Sequence, residues 1–263
     1  MTAPLDGVTV VVTRPRAQAA PFAALIAGAG GTPLLLPMLE IEPIELGPGE
    51  RERLAPDAHD WTIYTSANAV LHSLRQLPRP VRSRVAAIGR ATARALAEQG
   101  IAVDAVPADA SESEGLLALA PFAVMSGRRV LIVTGAGGRT LLREELARRG
   151  AEVLTAVVYR RTRALPEPAT LDELASRCAQ GRVAVAATSA AILGSLLDTV
   201  SDARIPQLRE AALLLPGERA AAAARALGWR GPLIVAKSAE DATMFAALVH
   251  AVGAPRLDTG AAC

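Results

Sequence analysis

Lysine is almost missing from this chain: Lys237 is the only one, so nearly all of the 28 Lys and Arg residues are arginine. Aromatic residues make up only 3% of the 263 positions, and there are two cysteines and three histidines. Each shortage excludes something. Cys178, in an expected helix, and Cys263, at the extreme C-terminus, lie far apart and are read as unpaired thiols, which suits a reducing compartment. His59, His72 and His250 have no Cys or carboxylate at ligand spacing; no metal site is expected, and they are placed on the surface or on helix faces. Few aromatics, with arginines dispersed as pairs such as Arg128-Arg129, Arg148-Arg149 and Arg160-Arg161, argue against nucleic acid, because a single strand needs stacking platforms. No run of about 18 uncharged apolar residues occurs, and Met1-Thr2-Ala3-Pro4-Leu5-Asp6 has no basic start before an apolar stretch. A cytoplasmic location with no membrane partner is the expectation.

Familiar chemical motifs are missing too. Gly135-Ala136-Gly137-Gly138-Arg139-Thr140 lacks the third glycine of a dinucleotide fingerprint, and Lys237-Ser238 follows Ala236 where a phosphate loop needs glycine. No Gly-x-Ser-x-Gly elbow is present, so a serine hydrolase is not indicated. The chemistry is announced neither by a nucleophile nor by a metal.

What is there is apolar and periodic. Hydrophobic residues are 51% of the chain, chiefly Ala, Val and Leu, which implies an aliphatic, tightly interdigitated core. A length of 263 residues favours two domains. Formal charge is only +2; the arginine bias reads either as genome composition or as a cleft for a polyanionic ligand, which planar guanidinium forks suit.

Val8 to Thr13 is an apolar β-branched run, followed by a helical stretch from Arg16 to Ala27, by Gly28, Gly30 and Gly31, and by an expected strand over Pro33 to Pro37. Further strands are expected at Trp61 to Thr65, Arg84 to Ile88, Ile101 to Val106, Arg129 to Thr134 and Glu152 to Val158. Helices are expected from Ser66, over Ala91 to Gln99, and up to Arg149. Ser111-Glu112-Ser113-Glu114 has the hydroxyl and acidic residues of a helix start. The layout then repeats. Residues 8–44 resemble 129–162, Trp61 to Val70 is echoed by Val183 to Ile192, and Val85 to Val106 more weakly by Leu213 to Val235. Taken alone, the repeat predicts two tandem copies cut once near the middle.

Strands alternating with helices predict an α/β fold with doubly wound parallel sheets, and ligands in such sheets lie beyond the carboxyl ends of the strands. The strand-to-helix turns are Thr13-Arg14, Thr65-Ser66-Ala67-Asn68, Gly89-Arg90-Ala91-Thr92, Gly135 to Arg139, Thr188-Ser189 and Pro216-Gly217-Glu218. Helix N-termini there present free amides to carboxylates or phosphates, although caps and tight turns need the same residue types. Tyr159, one of two tyrosines, is either an aromatic packed over a domain edge or a phenol donating a hydrogen bond or proton in a cleft.

Several stretches taken in order resemble the uroporphyrinogen-III synthase family: Val12-Thr13-Arg14-Pro15, Tyr64 to Val70, Ala87 to Ala93, Glu112 to Leu117, Gly135 to Arg139 and Val158-Tyr159-Arg160-Arg161. The resemblance covers nearly the whole chain. It implies two flavodoxin-like domains, the first discontinuous (1–37 and 165–263), the second 42–160, with a two-stranded linker at about 38–41 and 161–164. It further implies an enzyme that needs no cofactor and cyclises hydroxymethylbilane between its domains; a monomer is expected. Tyr159 would then assist departure of the substrate hydroxyl, with Thr92 as helper. Substrate would be held by Thr13, Arg14, Thr65, Ser66, Ala67, Asn68, Gly89 and Ser113, by Gly135, Gly137, Gly138 and Arg139, and by Thr188, Ser189 and Gly217. One departure stands out: Pro216-Gly217-Glu218-Arg219-Ala220 has no threonine where the family pattern carries a Gly-x-Thr-Thr-like turn. That turn leaves open an alternative, a non-catalytic two-lobed protein that binds or senses a tetrapyrrole or small anion.

Overall fold

The computed structural model describes residues 3–108, 113–138, 140–200 and 204–253. The chain opens with β1 (Thr9–Val12), α1 (Arg16–Gly28) and β2 (Thr32–Leu35). It continues through β3 (Leu39–Pro43), α2 (Pro48–Arg53), β4 (Trp61–Tyr64), α3 (Ala67–Ser73), β5 (Arg84–Ala87) and α4 (Arg90–Glu98). Next come α5 (Ser113–Leu117), β6 (Arg129–Gly135), α6 (Leu141–Arg148) and β7 (Glu152–Arg163). It finishes with α7 (Pro168–Gln180), β8 (Val183–Ala186), α8 (Ala190–Thr199), β9 (Ala212–Pro216), α9 (Gly217–Ala226), β10 (Leu233–Ala236) and α10 (Asp241–Gly253). Two compact units result: Met1–Glu40 with Arg163–Cys263, and Ile41–Thr162.

In the first unit the sheet order is β10-β9-β8-β1-β2, all parallel, so strands counted along that unit run 2-1-3-4-5. In the second the order is β3-β7-β6-β4-β5. Beginning the count at β6, the counterpart of β1 in the repeat, gives the same arrangement on a permuted chain, with β3 added beside β7. Each sheet thus combines strands from both copies of the repeat.

Side-chain alternation builds the layers. Val11, Val183 and Val185 face a cluster with Leu174 of α7, Leu193 of α8 and Ala224 of α9. Val10, Val12, Ala184 and Ala186 face the opposite cluster with Phe22 and Ile26 of α1 and Met244 of α10. Burying each Val or Leu this way contributes about 1.5–3 kcal/mol, and a parallel strand covered on both faces reads as the unbroken apolar run seen in Val10-Val11-Val12. The second unit repeats the scheme: Trp61 and Ile63 pack with Leu142 and Leu146 of α6, while Tyr64 packs with Val70 of α3 and Leu96 of α4.

Three expectations are corrected. Residues 101–106 do not form a strand; a single bridge, Ala86 to Ala105, closes that edge, and the Asp104 carboxylate accepts the Val85 N–H at 2.7 Å in place of a ladder bond. A strand, β3, covers Leu39–Pro43, where a linker strand is expected at about 38–41. β7 runs on to Arg163, its end fastened by Arg160 Nε and Thr162 Oγ1, which donate to the Glu42 carboxylate at 2.8 and 3.0 Å. His59 is buried, not on the surface, with Nδ1 3.0 Å from the Ala55 carbonyl. Cys178 is a buried free thiol whose pKa burial pushes up to about 11, and Cys263 lies outside the described residues.

Candidate functional site

In a 2-1-3-4-5 sheet the chain leaves strands 1 and 3 in opposite directions, so the loops beyond them diverge and open a crevice. In the second unit these strands are β6 and β4, and a cavity of about 530 Å³ lies at their carboxyl ends. Thr65 and Ser66 come from the end of β4, Thr134 to Gly138 from the end of β6, and Thr155, Val157, Tyr159 and Arg161 from β7. Further hydroxyls are those of Ser113 and Thr140; Ile88, Ile132 and Leu142 supply apolar wall. Among the described residues, Arg143 and Arg161 are the charged ones in the lining, and no carboxylate is among them.

The hydroxyls are held by local bonds. Thr65 Oγ1 donates to Thr134 Oγ1 at 2.9 Å. Ser66 sits in extended backbone as the N-cap of α3, where its Oγ accepts the Ala69 N–H at 3.0 Å and lies 3.0 Å from the Tyr159 hydroxyl. Tyr159 reaches that point because the β6–β7 register shifts between Thr134 and Gly135, so that Tyr159 pairs with Gly135. A Cβ on Gly135 would meet the Tyr159 ring at 2.4 Å, so only glycine admits the ring. Gly137 turns the loop with φ +72°, a left-handed conformation that costs glycine least.

The Tyr159 ring is 4% exposed. His72 stacks near-parallel to it at 5.8 Å, and the Arg161 guanidinium lies 6.0 Å from its centroid. Burial, then the neighbouring Arg75 charge, lowers the His72 pKa below the ordinary imidazole range; its Nδ1 is buried without a hydrogen-bond partner. The other tyrosine, Tyr64, is a core residue whose phenol burial pushes up to about 12.

Of the residues singled out in the sequence, Thr65, Ser66, Ser113, Gly135, Gly137, Gly138 and Tyr159 line this cavity. Ala67 and Asn68 form the first turn of α3 and Gly89 caps α4, all outside the lining. Thr92 is buried within α4, also outside it. Arg139, Ser111 and Glu112 fall outside the described residues. The rest belong to the first unit. Thr13 Oγ1 donates to the Ala186 carbonyl at 2.8 Å, and Ser189 caps α8 by accepting the Ile192 N–H at 3.2 Å. Thr188 precedes that cap, and Gly217 starts α9 with φ +74°. Arg14 pairs with Asp241, donates to the Ala239 carbonyl at 2.9 Å and lies over the Phe22 ring.

Sequence reasoning missed Thr134, Thr140, Arg143, Thr155 and Arg161 in the lining. Two signals were available: Thr134 holds the place in the repeat that Thr13 holds after β1, and Thr155, Val157, Tyr159 and Arg161 are every second residue of β7 and so share a face.

Two parallel-dominant five-stranded sheets, with a crevice lined by hydroxyls and arginines at the switch point of the second, define a two-unit α/β protein with a candidate small-molecule site. The family model described as uroporphyrinogen-III synthase HemD matches residues 20–246, and the chain belongs to that family. It is 32% identical over 247 residues to the uroporphyrinogen-III synthase of Salmonella typhimurium, covering 91% of this chain and 99% of that one. A crystal structure of a substituted uroporphyrinogen III synthase from Thermus thermophilus superposes with a TM-score of 0.57 at 26% identity, covering 93% and 98% of the two chains. The uroporphyrinogen-III synthetase of Helicobacter pylori, at 16% identity, shares the fold with a TM-score of 0.58 over 93% and 99%. Among the described residues no helix is long and apolar enough to cross a membrane.

Proposed function

We propose that this chain carries out its family's reaction, converting linear hydroxymethylbilane into uroporphyrinogen III with loss of water and inversion of ring D. The observation that carries the reading is the cavity at the β4–β6 switch point, whose described lining has two arginines and no carboxylate, with the Tyr159 phenol in its wall. Hydroxide leaves the ring A end as water, taking a proton from Tyr159, and the ring A nitrogen lone pair forms an azafulvene. A substituted carbon of ring D attacks it to form a spiro centre. Fragmentation and reclosure invert ring D, and the proton lost as that ring becomes aromatic again restores the phenol. No cofactor enters these steps.

Uncatalysed closure gives the symmetric isomer I, so the protein's task is to impose one geometry on a flexible chain before it closes. Eight substrate carboxylates call for cations, hydroxyls and backbone amides. In this reading Ser66 orients the Tyr159 phenol, Thr65, Ser113, Gly135, Gly137 and Gly138 supply donors around it, and Arg139 is a further ligand for the substrate carboxylates. Ala67, Asn68 and Gly89 offer helix-start amides, with Thr92 supporting that side. In the first unit Thr13, Thr188, Ser189 and Gly217 hold further carboxylates, and Arg14, tied to Asp241, fixes their turn. The units act as two flavodoxin-like domains, 1–37 with 165–263 and 42–160, joined by a two-stranded linker in a cytoplasmic monomer. The test is to supply hydroxymethylbilane, oxidise the products and separate the uroporphyrin isomers. A large excess of isomer III over the protein-free control is expected; isomer I at the spontaneous rate would overturn the reading.

A further inference from the structure

Arg143, on the first turn of α6, and Arg161, near the end of β7, both line the cavity and are both exposed. Several arginines near strand ends in this chain are occupied, Arg14 by Asp241, Arg149 by Glu145 and Arg160 by Glu42. Neither Arg143 nor Arg161 has an ion pair or hydrogen bond among the described residues. Two unpaired guanidiniums in a lining that has no carboxylate among the described residues give the cavity a positive potential that attracts an anion.

Size narrows what that anion is. A cavity of about 530 Å³ suits a drug-sized ligand. A four-ring chain with eight carboxylates has roughly twice as many atoms as such a ligand, so only part of it enters. Eight carboxylates over four rings are two per ring, one acetate and one propionate arm, and the described lining offers two free guanidiniums. Arg161 also lies 6.0 Å from the Tyr159 ring centroid, so a pyrrole held by Arg161 is delivered beside the phenol. Ile132, Leu142 and Val157 give the flat apolar ring a surface to rest on.

We propose that Arg143 and Arg161 are specificity-determining residues that grip the acetate and propionate carboxylates of the end ring bearing the hydroxymethyl group. The inference rests on the cyclising reaction proposed above and adds which residues choose the end of the substrate that enters the cavity. A bidentate guanidinium grip on each arm fixes ring orientation as well as position, which a backbone amide does less firmly.

The test uses the full chain and its Arg143→Gln, Arg161→Gln and double variants, with Arg177→Gln, whose side chain pairs with Glu173 on α7, as control. The first probe is porphobilinogen, a single pyrrole with one acetate and one propionate arm, titrated calorimetrically. Losing either arginine should weaken its binding about tenfold, its dimethyl ester should not bind, and Arg177→Gln should match the unsubstituted chain. With hydroxymethylbilane the loss should fall on KM rather than kcat, and the isomer I share should rise as unbound substrate closes in solution. Unchanged KM and probe affinity in both single variants would overturn the clamp, as would failure of the unsubstituted chain to bind porphobilinogen at millimolar concentration. A chain that makes no isomer III yet binds porphobilinogen through both arginines would overturn the reaction and leave the clamp standing.

Discussion

The two switch points of this molecule descend from one repeated pattern and are equipped differently. Both have a serine capping the helix after strand 3, Ser66 in the second unit and Ser189 in the first. Both have a threonine at the end of strand 1, Thr134 and Thr13, bonded toward the neighbouring strand. The next residue separates them. After Thr13 comes Arg14, whose guanidinium is only 12% exposed and is neutralised by Asp241; after Thr134 comes Gly135, whose missing side chain makes room for the Tyr159 ring. One turn is closed by its own ion pair, and the other is left with a phenol, hydroxyls and free cations. Repeating a topology copies the crevice, and single residues decide whether its charge is spent internally or offered to a ligand.

The most damaging way to erase the difference is Gly135→Ala. Its Cβ would lie 2.4 Å from Tyr159 Cζ, so the ring must move; a displacement near 1 Å should lower kcat by about 10²-fold. The added methyl should also cost about 1–3 kcal/mol in urea unfolding. Wild-type kcat in this variant would mean that Tyr159 placement does not matter.

Tyr159→Phe keeps the stacked ring and removes only the hydroxyl. Turnover should fall by about 10²-fold, whereas stability should drop by no more than about 1 kcal/mol with the Ser66 bond gone. Near-full turnover would remove the phenol from the mechanism.

Asp241→Asn probes the first switch point. Leaving Arg14 without its counter-charge should cost about 1–3 kcal/mol of stability, read from the denaturant midpoint. A cost under about 0.5 kcal/mol would show that the pair does not close that turn, and the contrast between the units would fail there.

The smallest expected effect is at His72. Its folded pKa is depressed, chiefly by burial, so the unfolded chain takes up a proton that the folded one resists. This contribution is complete above the unfolded pKa and is lost progressively as pH falls below about 6.5. His72→Phe keeps a ring against Tyr159 and should flatten that part of the stability profile; an unaltered slope would place the titrating group elsewhere.

Much of this was legible locally. The Val10-Val11-Val12 run, the spacing of Phe22 and Ile26, and serines placed before Ala67 and Ala190 announce strands, helices and caps, because each depends on neighbours within a turn or a pleat. Ile101 to Val106 misled because its β-branched residues outweighed Asp104, whose carboxylate replaces a ladder bond. Leu39-Glu40-Ile41-Glu42-Pro43 carries little local signal, because prolines flank a short run whose ladder partner, β7, lies more than a hundred residues away, and only the family resemblance pointed to a linker strand there.

By itself the sequence determined the alternation of strands and helices, the duplicated layout and the hydroxyl- and glycine-rich turns, all of which rest on short-range periodicity and backbone preference. Only the tertiary structure decided that β1 pairs with β8 across the repeat, that Asp241 neutralises Arg14, and that Thr65, Thr134 and Tyr159 meet while Thr92 stays inside its helix. Strand pairing and the choice of an ion's partner are made between segments far apart in the chain. They are settled by which faces can be buried together, which no local window of residues contains.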